Sequence, residues 1–223
     1  MRGAAVLLPW GQAAAAAVPA EARATPVIPL HVPVEVGGPR SSVRDIDALA
    51  YAGYPEKRGL DVLMQAWSSV GEGRRLVVAG IARDRADDWL RPRGIAVPAT
   101  VEWRPLLGRD EWAATLTRTQ VFVNASRRED HGLSQLEALA AGCMLVTVPS
   151  AGPYEALPIA RRLEPRFVAD TGTAEGLAAA LRAALSADGA DYAGRAQREL
   201  EPYRRENVQR VFEQQVLPAL AIR

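Results

Sequence analysis

The feature that most constrains this chain is an alternation that sets in near residue 45. Apolar runs of four to six residues take turns with longer amphipathic stretches. The apolar runs predict strands at Ala48–Ala52, Arg75–Ala79, Thr100–Trp103, Val121–Asn124, Met144–Val148 and Phe167–Ala169. The amphipathic stretches predict helices at Gly59–Val70, Asp84–Leu90, Arg109–Thr117, Leu133–Ala141, Tyr154–Leu163, Ala174–Ser186, Asp191–Glu199 and Arg205–Leu220. Gly71, Gly94, Gly142 and Gly189 mark helix ends. Strands separated by helices of this length run parallel, because each connection crosses over one face of the sheet. Runs as apolar as Met144–Val148 suit burial on both faces. The expected fold class is α/β: a Rossmann-like doubly wound parallel sheet of about six strands with helices on both faces. In such sheets ligands bind beyond the carboxyl ends of the strands, so chemistry belongs in the loops that follow them.

Residues 1–44 read differently. Ala4–Pro9 suggests a short strand, Gly11–Val18 a helix stopped by Pro19, Val27–Leu30 an extended segment, and Val32–Arg40 a Pro/Gly-rich linker. The expected organisation is therefore a lead-in and linker (1–44), the α/β domain (45–200) and a C-terminal helix (201–223). Pro9, Trp10, Gly11 and Gln12 break the apolar start, so it is not read as an export signal. No apolar run reaches the roughly 18 residues of a membrane span, and a cytoplasmic protein is expected. With 27 basic and 26 acidic residues the net charge is +1, which gives no global electrostatic case for nucleic acid. Cys143 is the single cysteine, and His31 and His131 are the two histidines. Neither an intramolecular disulfide nor a Cys- or His-rich metal site is expected.

Two loops carry the chemistry. After the first strand comes Ala52-Gly53-Tyr54-Pro55-Glu56-Lys57-Arg58-Gly59, and then a helix. Of the 27 basic residues only Lys57 is a lysine. Lys57 and Arg58 beside the free amides of a helix N-terminus make an anion site, unless they are simply solvated. There is no G-x-G-x-x-G after this strand and no G-x-x-x-x-G-K-[ST] anywhere, which argues against a nicotinamide enzyme and a P-loop hydrolase. After the fourth strand comes Ala125-Ser126-Arg127-Arg128-Glu129-Asp130-His131-Gly132-Leu133-Ser134-Gln135-Leu136-Glu137. A helix opening near Gly132 leaves the amides of about His131 to Ser134 unpaired, as a diphosphate requires. Glu137 lies one turn beyond Leu133 on the same face, about 7.5 Å of rise from Gly132, the offset from a diphosphate to a ribose. Glu129 lies on the other side of the amides, toward a sugar. The plainer alternative makes Asp130 an N-cap and leaves both glutamates in solvent.

These residues resemble the signature of retaining glycosyltransferases of family four and their relatives. The signature is two glutamates flanking Gly132-Leu133, followed by Leu136-Glu137-Ala138-Leu139-Ala140-Ala141-Gly142. Val27–Leu30 resembles the family's interdomain linker, and Tyr51-Ala52-Gly53 through Leu60 resembles its phosphate-contacting loop. Val77–Gly80 and Val121–Ser126 also fit in order. The resemblance covers about residues 25–185 and implies the C-terminal, donor-binding half of a GT-B fold. It implies sugar transfer with retention from a UDP- or GDP-linked donor to an unidentified acceptor, without an obligatory metal or other cofactor. Lys57 would neutralise the diphosphate, with Arg58 as a second cation where the family's usual arginine position holds Tyr54. The amides of Gly132, Leu133 and Ser134 would hold the distal phosphate, Glu129 the sugar and Glu137 the ribose. His131 takes the place of an aromatic; it would charge below about pH 6.5 or serve as a stacking surface. Arg104 and Leu106, after the third strand, would meet the base. Trp67, Trp89 and Trp112 are read as packing.

Only residues 1–30 precede the linker, room for one strand and one helix. By the resemblance, residues 1–44 are a remnant of the N-terminal domain with the interdomain linker, and the chain is expected to be a donor-binding half that is a fragment or truncated reading frame, or that works with a separate partner chain. The alternative is a non-catalytic nucleotide-sugar-binding module or subunit; a sugar-nucleotide epimerase is a more distant third. Val208, Val211, Phe212, Val216, Leu217 and Leu220 on the last helix are expected to want cover from a partner chain or a second copy. By the same resemblance, peripheral attachment at the inner membrane face fits.

Overall fold

The computed structural model describes residues 4–36 and 43–221. The lead-in forms helix α1 (Gly11–Ala16). The sheet then builds in the order β1 (Ile46–Tyr51), α2 (Leu60–Ser68), β2 (Leu76–Ala79), α3 (Arg83–Leu90), β3 (Val101–Arg104), α4 (Arg109–Thr117), β4 (Thr119–Asn124), α5 (Leu133–Ala140) and β5 (Met144–Thr147). The helices α6 (Ala156–Leu163), α7 (Ala174–Leu185), α8 (Ala190–Glu199), α9 (Arg205–Val211) and α10 (Leu217–Ala221) follow. All four strand pairings are parallel, in the order β3-β2-β1-β4-β5. The fully apolar strands behave as their composition requires: every residue of β2 and β5 is buried. α2 packs on α7, and α5 on α8, so both faces of the sheet are covered. The order reverses between β1 and β4, which sets the loops after these two strands side by side.

The sheet has five strands, not the six expected. Phe167–Ala169 makes one parallel bridge, Thr147 to Val168, and goes no further. The reason is local. Pro165 opens a 3-10 turn over Pro165–Phe167, and Phe167 is buried against the Tyr192 ring, 5.6 Å between centroids. The strand expected over Ala4–Pro9 likewise shrinks to one bridge, Leu7 to Val27. Pro9, Pro26 and Pro29 remove the donors a longer ladder would use.

The lead-in is tied to the domain from both sides. Val34 N–H donates to the Tyr203 carbonyl (3.0 Å), and the His31 ring lies 4.2 Å from the Tyr203 ring. The Glu155 carboxylate is buried and accepts from Ala13 N–H and the Tyr203 hydroxyl. Part of the expected linker, residues 37–40, lies outside the described residues. The single C-terminal helix expected over Arg205–Leu220 is broken by a π-helical turn at Phe212–Val216. Pro218 has no N–H for the Gln214 carbonyl, and the turn before it winds wider. Its apolar face is also less bare than expected. Val216 is buried and Val208 and Val211 are half-buried, while Phe212, Leu217 and Leu220 are exposed.

Candidate functional site

The loops after β1 and β4 are locked together by backbone. Arg127 N–H donates to the Lys57 carbonyl (3.0 Å), and the Arg127 side chain reaches the Glu56 carbonyl (2.6 Å) and Asp61 (2.5 Å). Gly59, the N-cap of α2, has φ +62°, and a Cβ there would stand 2.1 Å from the Ala125 carbonyl oxygen. Only glycine permits both that conformation and that approach. The second loop is pinned again on its far side, where Glu129 N–H donates to the Ala151 carbonyl (2.8 Å). Gly132, the N-cap of α5, has φ +86°, and a Cβ there would strike the Tyr154 ring at 2.5 Å. Tyr154 is held in turn by Asn124, whose amide donates to the Tyr154 hydroxyl and to Thr147 Oγ1, both at 3.1 Å.

This scaffold frames a cavity of about 410 Å³ at the carboxyl ends of the strands, lined by Tyr51, Lys57, Arg58, Gly80, Leu106, Leu107, Trp112, Glu129, Asp130, His131, Gly132, Leu133, Ser134 and Glu137. Every candidate named from sequence lines it except Arg104. The Arg104 guanidinium turns to Glu102 (2.8 Å) and Thr115 (3.4 Å). Among the described residues the amides of Gly132, Leu133 and Ser134 have no backbone acceptor, as the open end of α5 requires.

The charges are not free. Arg58, expected to face an anion, gives its guanidinium to Glu129, reaches Ser126 Oγ at 3.4 Å and lies 5.4 Å over the Tyr51 ring. Gln135, also buried, donates to the same oxygen of Glu129 (3.0 Å) and accepts from the Ser134 hydroxyl (2.9 Å). The Glu129 side chain is only 6% exposed, so this pair is a buried one. Lys57 pairs with Asp130 at 2.8 Å, with side chains 38% and 59% exposed. The Lys57 hydrogen bond, chiefly, holds the Asp130 carboxyl below the usual range. Glu137 Oε2 accepts from the Trp112 indole N–H at 2.8 Å. Burial lowers the pKa of His131, against the opposing pull of Glu155, so the ring is neutral near pH 7; Trp10 packs edge-on to it, 6.1 Å between centroids. Among the described residues no three His, Cys, Asp or Glu side chains gather to hold a metal ion.

Sequence reasoning missed Trp112, Gln135 and Tyr51 as members of the site. Tyr51 opens the loop that carries the resemblance but has no role assigned there, and Trp112 and Gln135 are joined to the site by bonds to Glu137 and Glu129 on other elements. Gln135 sits two residues before Glu137, off the face that Leu133 and Glu137 share, so spacing alone does not mark it.

Fold and site together define a doubly wound domain with a cavity at its switch point, lined by Lys57 and the open end of α5. The model of the family Glycosyl transferases group 1 matches residues 47–187, more than half of the chain, and the chain belongs to that family. No curated protein matches it. Among solved structures, S. aureus TarM, in a complex containing UDP, superposes with a TM-score of 0.74 at 12% identity, over 94% of this chain and 43% of that one. Anabaena HepE, in complex with UDP and glucose, gives 0.71 at 16% identity, over 98% of this chain and 64% of that one. WaaG, a glycosyltransferase of lipopolysaccharide biosynthesis, gives 0.66 at 16% identity, over 96% and 62%. The chain has the fold of the C-terminal half of a GT-B glycosyltransferase and spans less than two thirds of each of these structures. Among the described residues no helix is long and apolar enough to cross a membrane.

Proposed function

We propose that this chain binds the donor of a retaining glycosyltransferase, a nucleoside diphosphate sugar, in the cavity between the β1 and β4 loops. The observation that carries the reading is the convergence in one cavity of Lys57, the open end of α5, Glu129 and Glu137. Helix dipole, unpaired amides and one cation together favour a diphosphate and stabilise it as it leaves.

Exposure sorts the ion pairs into two jobs. An exposed pair such as Lys57–Asp130 is worth roughly 0–1 kcal/mol, so an incoming diphosphate displaces Asp130 readily. The buried Arg58–Glu129 pair would leave an uncompensated charge if broken. In this reading Arg58 holds Glu129 in place instead of gripping phosphate, and Glu129 takes sugar hydroxyls with the oxygen that Arg58 and Gln135 leave free. Glu137 takes the ribose and Leu106 the base; Arg104 is withdrawn as a base contact. Transfer breaks the bond between the anomeric carbon and the phosphate oxygen and forms one to an acceptor hydroxyl oxygen on the same face of the sugar, and the hydroxyl proton leaves with the diphosphate.

A second reading, a sugar-nucleotide-binding subunit that works with another chain, is favoured by the exposed Phe212, Leu217 and Leu220. The likeness to the GtfA/B complex, TM-score 0.74 at 10% identity, fits it in fold. Calorimetric titration of UDP, GDP and ADP tests the shared core. One nucleotide binds, and Lys57→Ala and Glu137→Ala each weaken it at least about tenfold. Binding that ignores both substitutions overturns the site.

A further inference from the structure

Trp112 stands at an unusual place. It lines the donor cavity and also a second cavity of about 400 Å³ beneath the 33–36 segment, and Glu137 lines both as well. Trp112 and Glu137 thus lie between two spaces, either of which has room for a carboxylate. The indole is fixed by packing: its ring meets Phe122 of β4 at 6.0 Å and Tyr51 of β1 at 6.3 Å, both edge-on. Tyr51 in turn underlies Arg58. From this anchored ring the N–H donates to Glu137 Oε2 at 2.8 Å, across α4 and α5. A hydrogen bond to a carboxylate at that length is of the stronger, charge-assisted kind. Among the described residues no other hydrogen bond reaches the Glu137 carboxylate, so Oε1 is left uncommitted.

We propose that Trp112 is a positioning residue of the donor cavity: its indole N–H holds the Glu137 carboxylate out of the second cavity and presents Oε1 to the ribose diol of the nucleotide. The proposal rests on the reading of Glu137 as the ribose acceptor. Indole suits the task because it donates and cannot accept, so it fixes one oxygen without competing for the ribose protons. Its two side-chain torsions are already set by Tyr51 and Phe122, so little entropy is lost in holding the carboxylate.

The test uses the full chain and whichever of UDP, GDP or ADP the titrations above select, compared with its 2′,3′-dideoxy counterpart. Wild-type protein prefers the ribonucleotide, and Glu137→Ala removes the preference. Trp112→Phe, which keeps a ring between Tyr51 and Phe122, lowers the preference by about threefold to tenfold, the worth of one hydrogen bond. Its affinity for the dideoxy compound is unchanged. Benzothienylalanine at position 112 keeps the bicyclic shape, carries sulfur in place of the N–H and gives the same loss, which covers the case in which Trp112→Phe folds poorly. If Glu137→Ala abolishes the preference and benzothienylalanine leaves it intact, the role of Trp112 is refuted and the Glu137 reading stands. Equal loss for both nucleotides shows Trp112 to be structural only and also refutes it. A wild-type protein without preference refutes the Glu137 reading and this proposal with it.

Discussion

Gly59→Ala separates two physical costs that one glycine carries. The first is conformational: φ is +62°, and a side chain in the left-handed region costs about 1–2 kcal/mol. The second is a collision. The new Cβ would stand 2.1 Å from the Ala125 carbonyl oxygen and 3.0 Å from its carbon, and both belong to backbone that cannot rotate away. Relieving it pushes the β1 and β4 loops apart, an overpacking that typically costs about 1–3 kcal/mol. Gly73→Ala is the control, because Gly73 has φ +69° with nothing within 4 Å of its would-be Cβ. It carries the conformational cost alone. Urea denaturation should give a loss of about 1–2 kcal/mol for Gly73→Ala and about 2–5 kcal/mol for Gly59→Ala, with unchanged slope. In melting temperature each kcal/mol is about 2–4 °C for a chain of this size. Nucleotide affinity should fall for Gly59→Ala and hold for Gly73→Ala. If the two variants lose the same stability to within about 0.5 kcal/mol, the approach of Gly59 to Ala125 is not what closes the site.

The two histidines predict a pH window. Burial is the main cause of the lowered pKa of both His31 and His131, each opposed by Glu155. The unfolded chain therefore takes up protons first as pH falls below about 6.5, and stability is lost from there toward the lowered folded values. Melting temperature should fall between pH 7 and 5, and the slope should flatten in the His31→Gln, His131→Gln double variant; an unchanged slope assigns the effect elsewhere. At Asp130, substitution by Asn frees Lys57 and removes a negative charge beside the cavity. Diphosphate affinity should rise by up to about fivefold, and only while Lys57 is present; weaker binding would mean that Asp130 organises the site.

The sheet and helices were legible because the change of period is strong. β2, β3 and β5 each begin or end within a residue of the strands read from apolar runs, and α4 matches its expected span. The failures share a cause, since each depends on what happens outside the local pattern. Phe167–Ala169 has a strand's composition, but Pro165 and the Tyr192 ring commit it to a turn. The pairing of Arg104 was legible. Glu102 and Arg104 are two apart on one strand, so their side chains share a face, and pairing there was the simpler expectation. Trp112 was not recoverable in that way. Its partner is 25 residues away on another helix, and nothing in Arg109–Thr117 marks one indole as facing a carboxylate.

What the sequence could not distribute is partners, and partners decide how the acids of the proposed site differ. Spacing places Glu129 and Glu137 on either side of the amides of α5, and gives Asp130 a role, that of a cap, only in the plainer alternative. The folded chain gives each a different neighbour. Glu129 has a buried cation and a buried amide, so its charge is fixed and costly to disturb. Asp130 has two exposed cations, Lys57 and Arg128, so its pairing exchanges with any competing anion. Glu137 has a neutral donor that sets its direction without cancelling its charge. On the proposed reading these are three separate requirements of one substrate: a rigid contact for the sugar, a cation released on arrival of the diphosphate, and a full negative charge aimed at the ribose. An exchange of the pairs, such as Arg58 and Lys57 each bound to the other's carboxylate, would keep the same composition and the same net charge. Each pair would then join a more buried member to a more exposed one, and the distinction on which the proposed site depends would be lost.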